Sequence, residues 1–233
     1  MKNVSHEQQQ WAWDAEHKKP QVLKQMDSDD ASGGVTKSFD FLKSQNISRD
    51  SGVEMRCGKG RNVIWLAKQG VKMVGFDFSP AAIEEAKKRA EAAIVTSAHF
   101  LVADATKKWP FESEWFDFGI DCFASTDIES LERRRYAISE MRRVLKPEGY
   151  VLAYLLSVDD EFHKEMIANS AVSERNAFVH PTGKFEKTYD EQDIIDVFKD
   201  FEVVRKKRVP KKALFGDKEY GCNHFWLVFR KPR

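Results

Sequence analysis

Apolar and polar positions between residues 52 and 157 alternate between two rhythms. Gly52–Cys57, Val71–Phe76, Ala98–Ala103, Phe116–Phe123 and Tyr150–Ser157 are apolar runs of strand length, and the stretches between them carry helical spacing. The helix predicted over Asn62–Gln69 is closed by Gly70. The next opens with Ser79 as N-cap and Pro80 at the first helical position, and runs to about Ala93 with Ala82, Ile83, Ala86 and Ala90 on one face. Along it Glu84 and Glu85 precede Lys87, Lys88 and Arg89, an order that suits both side-chain pairing and the helix dipole. A long helix over Ile128–Leu145 stops at Lys146-Pro147-Glu148-Gly149, a sequence that suits a type I turn. Tyr150–Ser157 is almost wholly apolar, as a strand covered on both faces must be. Strand–helix alternation at this spacing implies a parallel sheet with right-handed crossovers.

The ends of the chain depart from that rhythm. Residues 5–19 are polar but carry Trp11 and Trp13, and read as a short helix broken at Pro20. Residues 27–34 combine breakers and caps and predict a flexible linker, followed by a short helix over roughly 35–46. Beyond the fifth strand, Asp190–Asp200 reads as a helix. Phe201–Val209 and His224–Arg230 then read as two strands, antiparallel because a loop with Pro210 and Gly216 joins them.

Composition narrows the class. The 233 residues, 42% hydrophobic and 32% charged, suit one α/β domain with appended segments. Lys+Arg 38 against Asp+Glu 37 gives a net charge of +1, which favours neither nucleic acid nor an anionic membrane. The N-terminal residues lack the apolar stretch of a secretory signal, and the most apolar run, Tyr150–Leu156, is too short for a bilayer. The three cysteines, Cys57, Cys122 and Cys222, show no CxxC or Cys/His spacing for zinc, so no metal is expected. A cytoplasmic location is the expectation that follows from scattered thiols.

Candidate chemistry gathers at strand ends. In open α/β sheets ligands bind beyond the carboxyl ends of the strands. The first strand leads into Glu54-Met55-Arg56-Cys57-Gly58-Lys59-Gly60, where Gly58 and Gly60 permit close backbone approach and the next helix offers free N–H groups. A G-x-G-x-x-G dinucleotide fingerprint fails, because Val63 stands where the third glycine would be. Two glycines alone are equally consistent with an ordinary tight turn. Asp77 ends the second strand, where a carboxylate can accept two ribose hydroxyls, and Asp104 ends the third, where one can accept from an adenine amino group. One acidic residue at a strand end is usually a helix cap; three signals at successive strand ends favour a nucleoside site.

Gly58-x-Gly60, Phe76-Asp77-Phe78-Ser79-Pro80, Asp104-Ala105, Phe116 through Asp121 and Arg143 through Gly149 together resemble, in order, a class I S-adenosylmethionine-dependent methyltransferase. The resemblance implies a Rossmann-like α/β fold: a mostly parallel seven-stranded sheet ending in an antiparallel hairpin, with helices on both faces. It implies S-adenosyl-L-methionine as cofactor, with Glu54, Cys57, Gly58 and Gly60 around the methionine moiety and Asp77 on the ribose. Phe78 would lie beside the adenine, Asp104 and Ala105 at its edge, and Asp121, Cys122 and Phe123 on the reaction side. In this division residues 1–34 are an N-terminal lid and linker, 35–233 a single domain, and 158–188 an acceptor-side insertion. Residues 5–19 are equally readable as a helix simply packed on the domain.

The family has glycine where this chain has Arg56. Three readings stand open: strain and intrusion if the position needs positive φ, a pair with a carboxylate, or a substitution that weakens cofactor binding. Methyl transfer is an in-line displacement that depends on orientation and exclusion of water. Asp121 and His224 are the candidate proton-handling residues, His224 being as readable as a polar strand start. Trp11, Trp13, Phe123, Tyr136, Phe178 and His180 are candidate acceptor contacts. Arg133–Arg135, Arg205–Arg208 and Lys211–Lys212 are basic clusters that read first as solvated faces. Asp121-Cys122-Phe123-Ala124 differs from the Asn/Asp-Pro-Pro-Tyr/Phe motif of nucleic-acid amino methyltransferases, so a small-molecule acceptor is favoured. RNA or protein transfer, or a catalytically impaired binding protein, are the alternatives.

Overall fold

A computed structural model describes residues 4–18, 28–170, 172–215 and 217–233. Pro20 and Gly216, taken above as breaker and loop residue, lie outside the described residues. Seven strands form one sheet: β1 Ser51–Met55, β2 Lys72–Asp77, β3 Ala98–Val102, β4 Phe116–Cys122, β5 Leu145–Leu155, β8 Glu202–Phe215 and β9 Lys218–Arg230. Their spatial order is β3-β2-β1-β4-β5-β9-β8. Pairings among β1 to β5 are parallel, while β9 runs antiparallel to both β5 and β8. This is the Rossmann-like α/β architecture with a C-terminal antiparallel hairpin, as expected.

Period-two alternation along the buried strands builds two cores. On β5, Val151, Ala153 and Leu155 enter one cluster, while Leu152 and Tyr154 enter the other. The first face lies under α5 Leu131–Val144 and α7 Glu191–Phe198, with Ile138, Met141, Ile194 and Phe198 buried. The second lies under α2 Gly33–Ser44, α3 Arg61–Lys68 and α4 Pro80–Ala92, through Phe39, Leu42, Leu66 and Ile83. Ser79 caps α4 as its sequence predicts, its side chain accepting from Ala82 N, with Pro80 in the first turn.

Several boundaries shift for physical reasons. The predicted linker ends early: α2 begins at Gly33, and Gly34 sits so close to the Tyr154 ring that a Cβ there would lie 2.3 Å from it. Ser32 N donates to Asn62 Oδ1 at 2.8 Å, which ties this entry point to α3. The Lys146–Gly149 segment is an irregularity inside β5, and Glu148 has φ 61°, the positive value of a type II rather than a type I turn. The terminal strands are longer than their apolar cores, pairing out to Phe215↔Lys218, and Pro210 is tolerated because β8 is the edge strand. Within residues 158–188 lie α6 Glu161–Ala168 and a hairpin, β6 Ala177–Val179 with β7 Phe185–Lys187, whose three-residue strands leave no readable periodicity. The remaining helix, α1 His6–His17, is closed by a capping box of Ser5 and Gln8. Among the described residues no helix is long and apolar enough to cross a membrane, and the three cysteines are free thiols.

Phe118 is fully buried on β4, its ring against Gly52 of β1. Phe118→Ala is expected to lower unfolding stability by about 3–5 kcal/mol, read from the urea midpoint.

Candidate functional site

Strand order reverses beside β1, with β2 on one side and β4 on the other, so the carboxyl ends of β1 and β4 flank a topological switch point. The chain leaves β1 through three left-handed residues, Arg56 (φ 51°), Gly58 (φ 53°) and Gly60 (φ 79°). Gly60 caps α3, and a Cβ there would come within 2.7 Å of the Phe100 ring, so this close approach demands glycine. Asp77 holds the loop from the end of β2: one carboxylate oxygen accepts from Gly58 N at 3.0 Å and the other from Ser79 N at 2.9 Å.

Two buried carboxyl groups stand near the carboxyl ends of the central strands, Glu54 on β1 and Asp121 on β4. Glu54 Oε1 accepts from Asn62 Nδ2 at 2.7 Å, while Oε2 has no hydrogen-bond partner among the described residues. Asp121 is arranged the same way: Oδ1 accepts from Ser125 N at 2.9 Å and Oδ2 is unpartnered among the described residues. Burial pushes Glu54 up to about 8, with the Asp77 and Asp121 charges adding to it, and pushes Asp121 up to about 6 against hydrogen bonds from Ser125 and Ala124. Burial likewise raises the thiols of Cys57 and Cys122, the latter to about 11. A cationic or hydroxyl-bearing ligand group that reaches Glu54 or Asp121 would meet an acceptor already stripped of water. The donor set therefore fits the amino-acid and nucleoside ends of S-adenosylmethionine.

The Arg56 guanidinium lies over the Phe78 ring at 4.6 Å and the Trp13 ring at 5.8 Å, and its charge partly offsets the burial that raises Asp121 and Asp127. The position does require positive φ, which is why glycine suits it. Phe123, at the end of β4, is also left-handed (φ 60°), and its ring packs with those of Tyr154 and His224 at 5.0 and 5.1 Å. His224 is buried, and burial lowers its pKa.

Helix α1 lies across these strand ends, held by residues that sequence reasoning did not single out. His6 bridges two carboxylates, Asp104 and Glu129, each at 2.7 Å. Both bonds raise His6 to about 9, against burial. Asp104, which burial alone would raise, is held below the usual range by His6 and Thr106. Asp14 accepts from Ser79 Oγ at 2.7 Å. On the other side Gln9 donates to Gly183 O and accepts from Phe185 N, and Lys184 lies 3.4 Å from Glu16 and over the Trp13 ring. Trp13 is thus buried between the β6–β7 hairpin and Arg56, whereas Trp11 is 75% exposed on the outer face of α1. Tyr136 is exposed on α5, and His180 sits in the hairpin turn bonded to Thr182. Phe178 is buried against His163, and Ala105 is buried below Asp104. Asp77, Phe78, Glu54, Cys57, Gly58, Gly60, Asp121 and Cys122 are brought to one edge; Trp11 and Tyr136 are not.

The basic clusters are largely neutralised locally. Arg134 is buried and pairs with Glu174, Arg135 with Asp196, Lys206 with Glu191, Arg208 with Asp159 and Lys212 with Glu219.

Residues 53–149 match a sequence family described as "Methyltransferase domain". An uncharacterized protein of Haemophilus influenzae is 34% identical over 140 residues, covering 58% of this chain; the chain spans about half (55%) of that relative's length. A S-adenosylmethionine-dependent methyltransferase from Methanosarcina mazei superposes with TM-score 0.73 at 19% identity, covering 87% of this chain and 99% of the other. A 1,6-didemethyltoxoflavin-N1-methyltransferase from Burkholderia thailandensis, solved with 1,6-didemethyltoxoflavin and S-adenosylhomocysteine bound, gives 0.63 at 12% identity over 86% and 79% of the two chains. At these identities the two structures speak for the fold.

His6 contributes to docking of α1 fully below its ordinary 6.5 and loses that contribution as pH rises through about 9; Asp104, depressed, contributes above its ordinary 3.8 and fades as pH falls. Hydrogen exchange of the α1 amides is expected to accelerate above pH 9 beyond its intrinsic base dependence. In His6→Ala the helix is expected to exchange fast at pH 7, with that added alkaline transition gone.

Proposed function

On the premise that residues 53–149 carry a class I S-adenosylmethionine-dependent methyltransferase domain, we propose that the chain transfers a methyl group to a small-molecule acceptor. One observation carries the reading: the buried oxygens of Glu54 and Asp121, unpartnered among the described residues, at the strand ends beside the Gly58–Gly60 loop. The bound cofactor supplies an electrophilic methyl group on a sulfonium. Glu54 is assigned to the methionine end, the Gly58 and Gly60 backbone to close approach, and Asp77 to the ribose. Asp77 keeps lone pairs for this beyond its bonds to Gly58 and Ser79, since a carboxylate accepts about four hydrogen bonds. Phe78 is assigned to the adenine face, and Asp104 with Ala105 to its edge.

Asp121, raised to about 6, is ionised at neutral pH yet basic enough to take a proton from an acceptor O–H or N–H. His224, kept neutral by burial, borders the same aromatic wall of Phe123 and Tyr154 and is the second proton-handling candidate. Helix α1 acts as a lid whose Trp13 excludes water from the reacting groups. Local pairing of the basic side chains argues against a phosphate-binding face, and the structurally similar Burkholderia enzyme is an N1-methyltransferase of the small molecule 1,6-didemethyltoxoflavin.

A second reading, a methyltransferase-like binding protein without turnover, is favoured by Arg56, whose guanidinium covers the Phe78 ring assigned to the adenine. Calorimetric titration with S-adenosylmethionine separates the two. The chain is expected to bind, Arg56→Gly to bind about tenfold tighter, near 1.4 kcal/mol, and Asp77→Ala at least tenfold weaker. Binding by Arg56→Gly alone would support the second reading, and silence from both proteins would overturn the first.

A further inference from the structure

Cys222 and His224 alternate along β9, so both side chains point to one face of the strand, where they meet Asp160. All three are buried, at 4%, 4% and 0% exposure, and one ligand atom from each lies within 4.8 Å of the others. Asp160 is the N-cap of α6, which explains one of its oxygens: Oδ1 accepts from His163 N at 3.3 Å and lies 2.7 Å from His163 Nδ1. Its Oδ2 has no such role. It lies 3.5 Å from His224 Nε2 and has no hydrogen-bond partner among the described residues, and neither has His224 Nδ1. Buried carboxylate and imidazole atoms left without hydrogen bonds are costly unless something else completes them.

We propose that Asp160, Cys222 and His224 bind a divalent metal ion of the zinc class. The donor set selects the metal: thiolate and imidazole favour zinc or cobalt, while magnesium and calcium require oxygen ligands. Three protein ligands leave the fourth position of a tetrahedral ion open. The backbone is positioned before the ion arrives. At Cys222 and His224 strand β9 is paired with β8, and α6 is fastened to it by Gly221 N donating to Glu161 Oε2 at 2.7 Å and Tyr220 OH to Glu165 Oε2 at 3.1 Å. The His163 ring, its Nδ1 2.7 Å from Asp160 Oδ1, orients the carboxylate and leaves Oδ2 for the ion. The ring of His224 meets those of Phe123 and Tyr154 edge-on, so the ion would sit one aromatic layer from the end of β4.

The test reads metal binding alone and is independent of methyl transfer. Chelator-stripped full-length protein is titrated with Co2+ and followed by near-ultraviolet absorption, then challenged with Zn2+. The expected result is stoichiometric uptake with a thiolate-to-cobalt charge-transfer band that Zn2+ abolishes. Cys222→Ser is expected to lose the band and Cys57→Ser to retain it, while Asp160→Asn weakens binding by more than about tenfold. Absence of stoichiometric uptake by the unmodified chain would overturn the proposal whether or not the variants fold, as would a band that survives Cys222→Ser.

Discussion

The Asp77 carboxylate accepts one backbone N–H from the loop after β1 and another from the cap of α4. Bonds of this kind, to a charged acceptor, contribute about 1.5–3 kcal/mol each. Here they do more than stabilise, because they fix two ligand-facing loops relative to one strand end. Gly58 can hold its left-handed turn only while its N–H is satisfied, and α4 can begin at Pro80 only because Ser79 is held in extended geometry. The same cap then becomes a docking point, since Asp14 of α1 accepts from the Ser79 hydroxyl. Loop, helix start and covering helix therefore share one anchor.

At the switch point, the two central strands both end in a non-glycine residue in the left-handed region, Arg56 after β1 and Phe123 after β4. Such residues cost about 1–2 kcal/mol each and persist only where the surroundings over-determine them. The Phe123 amide donates to Tyr154 O at 2.9 Å, and its ring is gripped by Tyr154 and His224; Arg56 is stacked on Phe78. Both turns throw their chains off the sheet at the point where the buried acids Glu54 and Asp121 lie. Strain and desolvated charge thus coincide at one edge, which is the pattern of a site built for a ligand and not for stability.

The sheet was legible in the sequence because its signals are local and redundant. Apolar runs of strand length alternate with capped helices, and Ser79-Pro80 predicts its helix start to the residue. What escaped was held by long-range polar contacts. The inward face of α1 carries His6, Gln9 and Glu16, so no apolar stripe announces its docking onto Asp104 and the β6–β7 hairpin. Hydrophobic periodicity reports helices with an apolar stripe, and this one buries Gln9 beside only Ala12 and Trp13. Likewise Cys222-x-His224 fits no zinc spacing along the chain: strand alternation puts the two side chains on one face, and Asp160, the N-cap of α6, reaches them from elsewhere in the sequence. At the turn before Tyr150, Pro147 was read correctly as a turn residue, but the positive φ of Glu148 depends on the irregular pairing of β4 with β5.

Arg56 joins these threads. Its backbone does what a glycine would do there, at a cost in strain, and its side chain does what a glycine cannot. The guanidinium joins Phe78 to Trp13, so it ties the segment after β2 to the covering helix. It also brings positive charge toward Asp121 and Asp127, opposing the burial that raises both. A glycine at this position would leave Asp121 more fully protonated and α1 with one contact fewer. Substitution at a motif position has therefore exchanged open space at the strand end for a closed, charge-compensated one. The same residue that helps to hold α1 across the strand ends also covers the Phe78 ring.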